Sequence, residues 1–342
     1  MLEASDRRPD LGRTDFLNVF ALGHHQLSWP RSGPSAYVVQ VRIRVDSTFP
    51  AAPPQEHAAS AYVRTVRLQT SGSGRWRRTI AWAKQSRECR IPEMAPISMI
   101  IHLGYVHELV RYPVKSMAGI ATDSASLGWH GLQGDRRFAF RRLNDSSGFP
   151  WLTASRLPEL LLYEPLGLDE NAEEPLPTHV RTPEGAPLPL GSAELQNSIA
   201  EKFGGAVELM KLKHGIFDEA SVSVINLATI SAIGREAGQT LDTRRFRANI
   251  VIATDATEPF LEDGWIGGRL VFGGAEVGPM LSMTMRDPRC MMINLDPDTA
   301  KQDPRVMKAV VRLNKNNAGA YGTVARTGQI SVGQSVSLII ET

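Results

Sequence analysis

Apolar residues from about Ser98 onward fall in short runs that favour strands more often than helices. Residues 98–112 are rich in β-branched and aromatic side chains, and Pro113 follows them directly. Such a run ending at a proline is typical of a strand that leads into a loop. Further strands are predicted at 137–142, 160–163, 206–212, 249–253, 269–277 and 331–340.

Helical patterns are fewer and interrupt the strands irregularly. The sequence predicts helices at 193–203, 226–236 and 304–313, and glycines follow the first two of them. A doubly wound parallel sheet would need strands and helices in regular alternation. The pattern therefore predicts an α+β fold that is mainly β and barrel-like, with few helices.

The first part of the chain differs from the rest in charge. Residues 1–98 hold 14 Lys and Arg against 8 Asp and Glu, whereas residues 99–342 hold 24 against 28. We expect residues 1–98 to form a basic, disordered leader, although the alternation at 39–45 favours a strand. The acids argue against a transit peptide, and scattered charges without regularly interleaved aromatics argue against a nucleic-acid partner.

Cysteine is scarce, with copies only at Cys89 and Cys290. Two distant cysteines form neither a disulfide framework nor a paired zinc-ligand spacing, which favours a reducing, cytoplasmic compartment. No apolar run approaches the length of about 18 residues that a membrane span requires. Cys89 falls in the leader and is treated as incidental, so Cys290 is the thiol of interest.

Two polar clusters follow predicted strands and suit an anion. After Pro113, Lys115 offers a point charge and Ser116 a hydroxyl donor, as a phosphate requires. Further on, Asp135 could orient Arg136 and leave the guanidinium fork for an anion. The alternatives are a solvated loop lysine and an ordinary surface ion pair.

Other polar clusters occur later in the chain. Arg247 and Asn249, two apart on a predicted strand, are expected to project to one face, with plain surface charge as the alternative. Arg289 directly precedes Cys290, and a neighbouring positive charge favours the thiolate. A buried cysteine that acts as a small hydrophobe is the alternative for Cys290. Residues 153–156 form another polar cluster, which a helix cap would also explain.

In their order along the chain, these clusters resemble the MOSC family, the molybdenum cofactor sulfurase C-terminal domain proteins. They are most similar to the branch of the mitochondrial amidoxime-reducing component. The resemblance implies an N-terminal β-rich domain at 99–212 and a barrel-like MOSC domain at 213–342. It is carried by 112–116, 134–136, Thr153, Arg156, 246–249, 262–265, Arg289, Cys290 and 296–299.

The resemblance implies a molybdenum–pterin cofactor with Cys290 as the metal's protein thiolate ligand and catalytic residue, and a soft thiolate suits this metal. It also implies reduction of N-hydroxylated substrates. Cys290 is the only cysteine outside the leader, so the chain cannot supply the four cysteines of an iron–sulfur cluster. Electrons are therefore expected from a separate protein. The cofactor-binding positions implied by the resemblance are Lys115, Ser116, Arg136, Arg247, Asn249 and Arg289.

Three positions depart from the family pattern. Met117 stands where relatives often carry cysteine, Ala248 replaces a usual proline, and Pro288 replaces a serine of the amidoxime-reducing members. Asp296 and Asp298 either deliver protons near the site or stabilise a turn around the proline between them, and the turn is favoured.

Alternative functions stay open. Cys290 could transfer sulfur from a small sulfur-containing substrate without a metal, but no histidine shows a local signature as its base. The chain could instead be a non-catalytic carrier of the cofactor. Pyridoxal phosphate binding at Lys115 is attached to the family only by association.

Overall fold

Strands dominate the structure, as the sequence predicts. The computed structural model describes residues 98–341. The predicted leader, its strand at 39–45 and Cys89 lie outside the described residues. Residues Ile101–Ile340 form one unit, and the residues described before it are the start of the first strand. No helix in the described part of the chain is long and apolar enough to cross a membrane.

The described residues form sixteen strands and three α-helices. The strands are β1 Ser98–Arg111, β2 Ile120–Ala121, β3 Ser124–Gly128, β4 Gly131–Leu132, β5 Phe138–Arg142, β6 Glu164–Leu166, β7 His179–Arg181, β8 Pro187–Pro189, β9 Val207–Lys211, β10 Val222–Asn226, β11 Ile250–Thr254, β12 Arg269–Phe272, β13 Met280–Pro288, β14 Asn317–Arg326, β15 Gly328–Ser331 and β16 Ser335–Glu341. The α-helices are α1 Ala193–Phe203, α2 Leu227–Ala237 and α3 Pro304–Asn314. Short 3₁₀ helices cover Pro158–Leu162, Thr243–Phe246, Leu261–Trp265 and Met291–Asn294.

Seven strands close into a barrel. Their order is β11, β10, β14, β13, β12, β16 and β1, and β1 pairs with β11 to complete the ring. The β10–β11 pair is parallel, which requires a long connection, and α2 lies in that connection. Strand β1 comes from the predicted N-terminal segment, whereas the other barrel strands follow residue 212. The boundary between 212 and 213 stays a prediction.

Alternate residues of the barrel strands fill its interior. Val106 of β1, Ile252 of β11 and Leu281 of β13 belong to one buried cluster. The ring closes tightly at Gly104, where an added Cβ would lie 2.1 Å from the Ala253 carbonyl oxygen. Glycine is therefore required at this strand crossing.

Two further apolar clusters pack outside the barrel. One joins the β5–β9 pair to α1, with Phe140 and Leu195 among its buried members. The other packs α2 and α3 over β11, with Ile233, Val310 and Val251 in contact. These two clusters hold in place the chain segments that flank the barrel strands, and those segments carry the predicted site residues.

The three α-helices confirm the sequence prediction to within one residue at each end. Their end signals are local, since Ser192 and Asn226 cap the first two and Gly204 and Gly238 end them in the left-handed conformation. Asp303 caps α3.

Some strand predictions were wrong. Residues 160–163 lie largely in a 3₁₀ helix, because Pro158 starts a helical turn there. The strand predicted at 269–277 ends at Phe272, where Gly273 turns the chain with φ of 77°. Most of the strand predicted at 331–340 is β16, which begins at Ser335, and only Ser331 belongs to β15. Of the seven barrel strands, β10, β13 and β14 were not predicted, although β13 leads to Cys290.

Glu262 is a fully buried carboxyl group at the barrel wall. Its Oε2 accepts a hydrogen bond from Thr229 Oγ1 at 2.9 Å, and its Oε1 accepts one from the Gly319 amide at 3.2 Å. Burial raises the pKa of Glu262 to about 7. The folded protein therefore favours the protonated form, whereas the unfolded chain ionises at the ordinary glutamate pKa.

We expect Glu262→Gln to become more stable relative to the wild type as pH rises. Stability that depends on protonated Glu262 is fully present below the unfolded pKa and is lost as pH rises through about 7. Between the ordinary glutamate pKa and about 7, the free energy of unfolding of the variant should rise relative to that of the wild type by up to about 1.4 kcal/mol per pH unit. Urea unfolding from pH 4.5 to 7.5 measures this, with exposed Glu208→Gln as control. A constant difference across the window would contradict the assignment.

Candidate functional site

Four of the predicted site residues, Arg136, Arg247, Asn249 and Arg289, belong to one connected network of hydrogen bonds and ion pairs around the start of β11. Lys115 and Ser116 follow β1, Arg136 precedes β5, and Arg247 and Asn249 precede β11. Arg289 and Cys290 follow β13. Segments far apart in sequence thus meet where the barrel closes.

Asn249 is the centre of this network and is 1% exposed. Its Nδ2 donates to the Val110 carbonyl at 3.2 Å, and its Oδ1 accepts from the Ser223 amide and from Arg136 Nη1, both at 3.1 Å. Its main chain also pairs with Val110 and Ser223. The side chain predicted to bind a cofactor therefore fastens β1, β10 and β11 together.

Arg136 is held by several protein groups. Asp135 accepts a hydrogen bond from its Nη1, and Nη2 donates to the Arg247 carbonyl at 3.2 Å. Asp135 is itself fixed, because its Oδ1 accepts from the Tyr112 amide at 2.6 Å. Asp135 orients Arg136 as expected, but much of the guanidinium fork already bonds to the protein. Burial alone would lower the pKa of Arg136, but Asp135 outweighs it and the pKa is raised.

A buried tyrosine links the two arginines. The ring centroid of Tyr112 lies 4.3 Å from the Arg247 guanidinium carbon and 5.3 Å from that of Arg136. Cation–π contacts of this kind favour a fixed guanidinium plane. Burial raises the pKa of Tyr112 to about 12 and lowers that of Arg247 to about 10. The sequence pattern marks Tyr112 only as part of the 112–116 motif and does not indicate its contacts with both arginines.

Three site residues have left-handed backbone conformations that favour glycine. The φ angles are 68° at Ser116, 50° at Arg136 and 50° at Arg247. The expectation that Arg247 and Asn249 lie two apart on a strand was wrong, because Arg247 ends a 3₁₀ helix and β11 begins at Ile250. Such strain costs about 1–3 kcal/mol per residue and clusters at binding sites.

Lys115 is 8% exposed and has a partner, Asp218, that no pattern in the sequence indicates. Its Nζ lies 2.7 Å from Oδ1 of Asp218, which is 61% exposed. Burial lowers the pKa of Lys115, while Asp218 opposes that shift. The alternative of a solvated loop lysine does not hold, because the side chain is buried.

Arg289 is buried against the carbonyls of neighbouring segments. Its Nε donates to Ala318 and its Nη1 to Phe246, both at 2.6 Å. Its Nη2 lies 2.8 Å from Oδ2 of Asp287, and that oxygen also accepts from Ser223 Oγ at 2.8 Å. Burial raises the pKa of Asp287. Arg289 therefore fixes the chain one residue before Cys290.

Cys290 is exposed at the start of the 3₁₀ helix Met291–Asn294. The alternative of a buried packing cysteine is therefore wrong. Within residues 98–341, no group of three or more His, Cys, Asp and Glu side chains could hold a metal.

The remaining predicted positions have structural roles. Asp296 Oδ1 accepts from the amides of Asp298 and Thr299, which confirms the favoured turn. The Thr153 carbonyl accepts from the amide of Arg156 at 2.9 Å, so that cluster also forms a turn.

These features define a mainly β protein with a closed barrel and a buried cationic network beside an exposed thiol. Comparison with known families matches the MOSC N-terminal beta barrel domain at residues 103–198 and the MOSC domain at residues 211–337. The chain belongs to the MOSC family, whose domains are associated with molybdenum cofactor-binding proteins. No curated protein matches the chain.

Solved structures resemble the chain only distantly. The YuaD protein from Bacillus subtilis shares 16% identity and a TM-score of 0.39, with 72% of this chain and 98% of that chain covered. YiiM from Geobacillus stearothermophilus shares 18% identity and a TM-score of 0.27, with 34% of this chain and 53% of that chain covered.

We expect Gly319→Ala to destabilise the protein and displace Arg289. Gly319 has φ of 93°, and an added Cβ would lie 2.8 Å from Arg289 Nη2 and 2.9 Å from the Val224 carbonyl oxygen. The free energy of unfolding should fall by about 2–4 kcal/mol, measured by urea unfolding. Gly191→Ala is the control, because its Cβ would meet nothing within 4 Å. Equal stability of the two variants would refute the close contact.

Proposed function

We propose that this protein binds a molybdenum–pterin cofactor, with Cys290 as the metal's thiolate ligand, and reduces N-hydroxylated substrates. The observation that carries the proposal is the exposed thiol of Cys290 directly after a buried, fixed arginine. A soft thiolate suits molybdenum, and the exposed position leaves room for the cofactor and a substrate.

The donor set fits the cofactor's other groups. Lys115 and Arg247 would offer charge to its phosphate, and Ser116 would offer a hydroxyl. Arg136, Asn249 and Arg289 act differently, because their hydrogen bonds to the protein hold in place the segments that carry those groups. Fixed groups of this kind bind a ligand with little reorganisation.

The cofactor, when bound, would supply two-electron chemistry that removes oxygen from nitrogen. Reduction of an amidoxime to an amidine consumes two electrons and two protons and releases water. We propose that the electrons come from a separate protein, since Cys290 is the only cysteine among residues 98–341. The protein's part is to position the cofactor and leave the thiol side open to the substrate.

Cofactor binding is tested by substituting each cysteine in turn. We expect wild-type protein from a cofactor-producing host to contain molybdenum, and Cys290→Ala to lose it because the thiolate ligand is gone. Cys89→Ala is the matched control and should keep its metal. Elemental analysis measures the content, and metal-free wild type or metal-replete Cys290→Ala would sink the proposal.

Turnover separates an enzyme from a carrier of the cofactor. The metal-containing wild type should reduce a simple amidoxime with a chemical electron donor, and Cys290→Ala should not. Bound molybdenum without turnover would favour the carrier. A persulfide on Cys290 in metal-free protein, detected by mass spectrometry, would favour sulfur transfer. Within residues 98–341, the histidine contacts involve other partners than Cys290, so a thiol–histidine pair has no support.

A further inference from the structure

Lys115 already contacts an anion that belongs to the protein itself. Asp218 Oδ1 lies 2.7 Å from Lys115 Nζ, which is the distance of a charge-assisted hydrogen bond. The lysine is 8% exposed, whereas the aspartate is 61% exposed. The carboxylate therefore covers the buried ammonium from the solvent side, where a ligand would have to arrive.

Asp218 is influenced by three cations of the site. Partial desolvation beside the site raises the pKa of its carboxyl, but Lys115, Arg136 and Arg247 together outweigh this and leave the pKa below the ordinary value. Asp218 is therefore ionised at neutral pH. Mild acid does not protonate Asp218 and so does not break its contact with Lys115. An incoming anionic ligand must therefore compete with the Asp218 carboxylate for Lys115.

The segment that carries Asp218 is fastened on one side. It connects β9 to β10, and the Ile216 amide donates to the Arg136 carbonyl at 3.0 Å. Asp218 follows this anchor by two residues, and both it and Glu219 are exposed. The carboxylate could leave Lys115 by a local movement beyond Ile216, without breaking the barrel.

We propose that Asp218 is a specificity-determining residue that makes the Lys115 site select doubly charged phosphate groups over singly charged anions. The proposal rests on the assignment of Lys115 to the cofactor's phosphate. A tethered carboxylate acts at an effective concentration of about millimolar or more, so a free carboxylate gains nothing by replacing it. A phosphate dianion brings roughly twice the Coulomb attraction to the same cations and can displace it.

The test compares two anions on full-length protein made in a host that cannot synthesise the pterin cofactor. Calorimetric titration at pH 7.5 and low ionic strength measures binding of inorganic phosphate and of acetate. We expect the wild type to bind phosphate at least about tenfold more tightly than acetate. Asp218→Asn should bind both more tightly, acetate most of all, so that the ratio shrinks at least about threefold.

Matched variants separate this effect from net charge and from misfolding. Glu219→Gln makes the same charge change one residue away and should keep the wild-type ratio. Lys115→Gln should weaken phosphate binding in both the wild-type and the Asp218→Asn background. If Asp218→Asn does not fold, as judged by thermal unfolding, Asp218→Ser replaces it in the same titrations.

Two outcomes would overturn the proposal. One is an unchanged phosphate-to-acetate ratio in folded Asp218→Asn, and the other is phosphate binding that does not depend on Lys115. Molybdenum content of the wild type from a cofactor-producing host is measured separately. Metal-free protein with an Asp218-dependent ratio would refute the molybdenum assignment alone, whereas metal-containing protein with an unchanged ratio would refute the role of Asp218 alone.

Discussion

The buried amide of Asn249 is the constraint on which the rest of the structure depends. It is bonded to β1 and β10 at the point where the barrel ring closes, and it also receives a hydrogen bond from Arg136. A buried polar group must find partners, and each lost partner costs about 1–3 kcal/mol. The Asn249 side chain therefore both joins the strands at the barrel closure and helps to place the cationic network.

The site divides into a frame and a working surface. Arg136 pairs with Asp135 and Arg289 with Asp287, largely buried from solvent, and both arginines also donate hydrogen bonds to main-chain carbonyls. Buried pairs are costly to form and are better understood as fixing geometry than as adding stability. Cys290 lies on the surface beside this frame. The exposed thiol of Cys290 thus lies next to ion-paired side chains that fix the geometry around it.

Much of the fold, but only part of the candidate site, was predictable from the sequence. The helices were predictable because their capping residues and end glycines act locally. Strands β13 and β14 were not, because bulges interrupt their pairing and polar residues interrupt their alternation. The order of polar clusters indicated candidate site residues, whereas the contact of Asp218 with Lys115 joins residues 103 apart. Contacts of that range depend on tertiary packing, and no local pattern encodes them.

The barrel closure also has a consequence for how the chain can be made. Strand β1 lies between β11 and β16 in the ring, and β16 starts at Ser335. At a synthesis rate of about 5–20 residues per second, β1 waits roughly 10–50 seconds on the ribosome for its last partner. During that time its apolar face and strand edges are open to wrong pairing. Folding of the barrel should therefore depend on what shields β1 until β16 emerges.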